Sequence, residues 1–69
     1  MLAFEKSIID VIEKYYAQNK GFAILCQRSK DYLSRTLKFL DDIECEYTTI
    51  TDENGTFNIV IDLNSYKGV

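Results

Sequence analysis

The chain has no histidine, no proline and no tryptophan, and only two cysteines and three glycines among its 69 residues. Histidine is the side chain whose ordinary pKa lies nearest neutrality, so its absence excludes every histidine-based triad, proton shuttle and zinc site. No catalytic residue set, metal site or cofactor motif is recognisable, and the chain is not expected to be an enzyme. The longest apolar run is Phe22-Ala23-Ile24-Leu25-Cys26. That is far below the ~20 residues of a membrane helix, and the N-terminus lacks a basic-then-apolar leader. A cytoplasmic protein without membrane partners is expected. Cys26 and Cys45 fall in no metal or redox spacing, which predicts free thiols in a reducing compartment.

What is present is ordinary for a folded domain, with 46% hydrophobic and 28% charged residues. At this length burial only narrowly exceeds conformational entropy, so self-association or a partner would add useful stability. One compact domain over residues 1–63 is predicted, followed by a tail over 64–69 that is flexible unless Tyr66 tucks against a helix.

The period of the apolar residues changes along the chain. Phe4, Ile8, Val11, Ile12 and Tyr15, widened by Ile9 and Tyr16, form one stripe of a helix over residues 3–18, which Asn19-Lys20-Gly21 ends. Residues 22–27 read as a short strand. Ser29 then suits a helix N-cap, with Asp31 in a first turn that favours carboxylates. The second helix runs to about Asp42 with Tyr32, Leu33, Leu37, Phe39 and Leu40 on its apolar arc. In the last third, ECEYTTITDENGTFNIVIDL is a β-hairpin. A two-residue Asn54-Gly55 turn would align Phe57, Ile59, Ile61 and Leu63 with Glu46, Thr48, Ile50 and Asp52. A three-residue loop, Glu53-Asn54-Gly55 with a left-handed Gly55, aligns them with Cys45, Tyr47 and Thr49 instead. Burial favours the longer loop.

The elements therefore run α-β-α-β-β. Right-handed crossover makes the first two strands parallel, and the most apolar strand, the third, belongs between them. The expected fold class is α+β: two layers, a three-stranded mixed sheet in the order 1-3-2, and both helices on one face. This layout resembles half of a ferredoxin-like split βαβ whose second helix comes from the N-terminus. A winged helix-turn-helix needs two helices before the hairpin, and about fourteen residues are too few. FAILCQRSKDYLSRTLKFLDDIECEY also resembles the opening strand-helix-strand of a glutaredoxin-type fold. Lys30-Asp31-Tyr32-Leu33 stands where that family carries Cys-x-x-Cys, so no thiolate role follows.

Charge is segregated along the chain. From Lys14 to Lys38 there are six cations against Asp31 alone, and from Asp41 to Asp62 seven acids and no cation. A dipolar molecule can steer a partner or align copies head to tail. The free N–H groups of a helix start, with Arg28, Ser29 and Lys30 and with Arg35 and Lys38 further along, form the candidate anion-binding or nucleic-acid-binding set. An ordinary serine cap with solvated cations accounts for the same residues. DENG is too short for a calcium loop, and Asn54-Gly55-Thr56, formally a glycosylation acceptor, reads as turn chemistry.

A two-layer fold leaves one sheet face bare. With Phe22, Ile24 and Cys26 turned to the helices, Ala23, Leu25, Ile50 and Val60 would form an outward apolar stripe of the kind that binds proteins. The opposite parity of the first strand would exchange its contributors. The sheet edges at 22–27 and 45–51 offer a second route, by strand addition or dimerisation. The leading expectation is a small non-enzymatic protein-binding module, a regulator or inhibitor of the size common among phage and mobile-element proteins. Its partner is another protein, with a homodimer as one form; nucleic acid ranks second.

Overall fold

The computed structural model describes residues 2–66. Its elements are α1 (Ala3–Ala17), β1 (Phe22–Gln27), α2 (Lys30–Asp42), β2 (Tyr47–Thr51), β3 (Phe57–Asp62) and a single 3-10 turn (Leu63–Ser65). The expected α+β class and strand order hold, with β3 between β1 and β2. Both hydrogen-bonded pairs are antiparallel. β1 and β2 do run the same way, but β3 separates them, so the sheet is antiparallel and not mixed.

Each helix forms where its apolar stripe does. Ile8, Ile9 and Ile12 of α1 are buried, with Phe4, Val11 and Tyr15 packed beside them. Leu2 has no side-chain acceptor to cap α1, and the Glu5 carboxylate instead accepts the Leu2 N–H at 3.2 Å. Both helices end in the same way. Asn19 and Glu44 take the left-handed conformation, each at φ 59°. Lys20 N–H then reaches Tyr15 O, and Cys45 N–H reaches Leu40 O, so carbonyls of each last turn are satisfied. Within the Asn19-Lys20-Gly21 segment that ends α1, the left-handed position is taken by Asn19, a residue type that tolerates it. Ser29 starts α2 as expected, its oxygen accepting the Tyr32 N–H at 3.4 Å.

The hairpin has the three-residue loop that burial favours. Asp52 N–H donates to Thr56 O, and Gly55, at φ +80°, completes the turn. The Asp52 carboxylate holds the loop from inside, accepting from Asn54 N–H at 2.8 Å and Thr56 N–H at 3.0 Å. Register follows: Tyr47 lies opposite Ile61 and Thr49 opposite Ile59. Ile59 and Ile61 have no exposed surface and meet Ile8, Ile12, Phe39 and Leu40 in the core. The buried polar Thr36 receives a long hydrogen bond from Gln27 Nε2 at 3.5 Å, which ties the end of β1 to α2.

Residues 64–66 are docked, which is the alternative to a flexible tail in which Tyr66 tucks against a helix. Asp62 Oδ1 accepts Asn64 N–H, while Ser65 Oγ donates to Asp62 O and accepts Glu46 N–H. Tyr66 packs against the core, its ring edge-on to Tyr16 at 6.1 Å. The remainder of the tail, 67–69, lies outside the described residues.

Ile12→Ala should cost about 2–5 kcal/mol, much of the stability of so small a domain, whereas Gly55→Ala should cost about 1 kcal/mol. Nothing lies within 4 Å of a Cβ at Gly55, so its cost is conformational alone. Urea unfolding measures both, and equal losses would contradict the packing described.

Candidate binding surface

The helices cover one face of the sheet, and the side chains on the other face follow from register. Ala23 lies opposite Ile61 and Leu25 opposite Ile59. Since both isoleucines point at the helices, so do Ala23 and Leu25, which are 0% and 9% exposed. The expected surface set is corrected accordingly: Ile50 and Val60 are on the bare face, and Ala23 and Leu25 are core. Phe22, Ile24 and Cys26 take their places outside. The physical reason is that β1 is apolar on both faces, so its own pattern carries no parity; its partner strand decides it.

The bare face is built in cross-strand rows. Ile24, Val60 and Thr48 form one, and Cys26, Asn58 and Ile50 the next. At one end Phe22 lies opposite Asp62, whose N–H donates to Glu46 O. Phe22, Ile24 and Ile50 are 45%, 39% and 55% exposed, and Val60 is half-buried between them. Cys26 Sγ donates to Asn58 Oδ1 at 3.1 Å, which orders the middle of the face. Around Phe22 the surface dips into a depression of about 300 Å³ lined by Gly21, Phe22, Glu46, Tyr47, Thr48, Val60 and Asp62. Its lining combines Phe22 and Val60 with the acidic Glu46 and Asp62. Such a site suits a partner side chain that is apolar along its length and cationic at its end.

The candidate anion set does not converge. The Ser29 oxygen is occupied by its cap, with Arg28 and Lys30 exposed on either side of it. Arg35 lies over the Phe4 ring at 4.7 Å and the Tyr32 ring at 5.7 Å, and these rings stack at 5.6 Å. Its guanidinium is thus held by π faces between the two helices. Arg35 and Lys38 share a groove with Leu2, Phe4, Glu5, Phe39 and Asp42, where two carboxylates offset the two cations. Neither Arg28 nor Lys30 lines it. The Phe4–Tyr32–Arg35 stack joins residues from two helices, a pairing that helix periodicity alone does not report.

The cysteines are free and differ in environment. Cys26 is exposed on the bare face, and Cys45 is buried before β2. Burial pushes the Cys45 thiol up; a hydrogen bond with Ser65 opposes this in part, and the Asp62 charge adds to it. Tyr47 is raised by loss of solvent and then by Asp41, its hydrogen-bond partner, and Tyr66 by loss of solvent and then by Glu13.

Two results follow from these environments. In the native protein iodoacetamide should modify Cys26 and spare Cys45 until the chain unfolds. All three raised groups bind protons more tightly folded than unfolded. Their contribution is therefore full below the unfolded pKa values, 9.0 for the thiol and 10.0 for the tyrosines, and is lost as pH rises through the folded ones. Urea titrations across this range should show stability falling with pH, and a rise would contradict the assignment.

Among the described residues no helix is long and apolar enough to cross a membrane, and no group of three or more metal-ligating side chains is assembled. Comparison of the chain with protein-family models, curated proteins and solved structures finds no match.

Proposed function

We propose that the chain is a non-enzymatic protein-binding module, a regulator or inhibitor that works by occupying a surface of another protein. The observation that carries this reading is the bare sheet face, where Phe22, Ile24, Val60 and Ile50 are exposed or half-buried with none of the described elements above them. Burial of those side chains against a partner supplies affinity at about 25 cal/mol per Å² before the costs of association. Glu46 and Asp62 beside Phe22 set the partner's chemistry: an apolar patch bearing a lysine or arginine. Carboxylates beside such a patch act on encounter rate and on discrimination among partners more than on affinity.

Replacing Ile24 and Ile50 by threonine keeps β-branched side chains on the strands and removes apolar area only from the bare face. The double variant should retain the wild-type circular dichroism and lose at least about tenfold in affinity for a captured partner, while Leu25→Thr, on the covered face, should unfold much of the protein. Pull-down from the native cell, quantified by mass spectrometry for wild type, double variant and a Ser34→Ala control, makes the comparison. A partner held equally by all three, or one released by nuclease treatment, would contradict the reading.

A further inference from the structure

Among the described residues the two edges of the sheet are both unpaired, and the ladder shows which of their groups point outward. Leu63 N–H bonds to Gly21 O on the β1 side, while Asp62 N–H bonds to Glu46 O and Asp52 N–H to Thr56 O on the β2 side. Odd residues of β1 and even residues of β2 therefore pair with β3. The backbone groups of Phe22, Ile24 and Cys26 on one edge, and of Tyr47, Thr49 and Thr51 on the other, point away from the sheet. Among the described residues none of these six has a backbone partner. Neither strand carries the charge or proline that usually blunts an edge: they read FAILCQ and YTTIT.

The charges lie just beyond the strand ends, and they differ in sign between the edges. Lys20 and Arg28 bracket β1; Glu46 and Asp52 bracket β2. None of the four is in an ion pair among the described residues. Joining two β2 edges would set acid against acid, and joining two β1 edges would set base against base. Joining β2 of one copy to β1 of the next sets Glu46 against Lys20 and Asp52 against Arg28. β1 and β2 run in the same direction, so this joint is parallel and keeps the bare face on one side of a continuing sheet.

We propose that the chain associates with itself head to tail through these edges, β2 of one copy adding to β1 of the next. The contact is heterologous, so it grows into a ring or an open filament and not a closed dimer. It uses backbone groups and strand-end charges, and does not depend on the bare face as a docking surface.

Sedimentation velocity of the full chain over a concentration series should show mass rising past a dimer, with the rise weakened by added salt. Lys20→Glu and Glu46→Lys, each folded by circular dichroism, should each raise the association midpoint about tenfold, and an equimolar mixture should return it to within about threefold of wild type. Restoration occurs because each variant's altered edge then meets the other's. Thr49→Pro, which removes an outward N–H without touching the ladder to β3, should abolish growth. The Ile24→Thr, Ile50→Thr protein should assemble as wild type does, which separates this contact from the bare face. A chain that stays monomeric, that stops at a dimer, or whose two charge variants fail to restore one another overturns the proposal.

Discussion

Ile59 and Ile61 have no exposed surface, and they belong to β3, which hydrogen-bonds to a strand on each side. Those two facts constrain nearly everything else. With the odd residues of β3 turned to the helices, register places Ala23 and Leu25 in the core and sends Phe22, Ile24 and Cys26 outside. The same parity decides which edge amides are free. Alanine at 23 and leucine at 25 leave room for the helices to approach β1, while the larger Phe22 is left at the surface. A single parity in one strand thus connects core packing, the bare face and the two open edges.

The turn and the C-terminal segment keep that parity in place. Asp52 holds a loop whose length brings Tyr47 opposite Ile61 rather than one residue away, and a slip by one would move Ile59 and Ile61 to solvent. Ser65 links the ends of β2 and β3 by receiving Glu46 N–H and donating to Asp62 O. Glu46 and Asp62 are consequently fixed near Phe22, so the acidic part of the depression's lining is a by-product of how the hairpin closes.

Much of the fold was legible in the sequence because the relevant signals are local. Helix periodicity, the Ser29 cap and the three-residue loop each depend on a few neighbouring residues, and the strand order followed from handedness and from the apolar character of β3. The parity of β1 was not legible: Phe22, Ile24 and Cys26 are as apolar as Ala23 and Leu25, so alternation carries no information there. Only pairing with β3 resolves it. The same limit applies to the cations. Arg35 reads as a free surface charge until Phe4, thirty-one positions earlier, is seen beneath it, and the anion set expected from sequence proximity is divided by that contact. For Tyr66 the sequence left two states open, a free tail or a ring tucked on a helix, and only its distant anchor, Tyr16, decides between them.

Amide hydrogen exchange followed by NMR on dilute protein, below any association midpoint, tests the central parity most directly. The amides of Ala23 and Leu25, and those of β3 throughout, should be protected, while those of Phe22, Ile24, Cys26, Tyr47, Thr49 and Thr51 should exchange at least about a hundredfold faster. Protection of Phe22, Ile24 and Cys26 with fast exchange at Ala23 and Leu25 would reverse the strand and contradict both the bare face and the open edges.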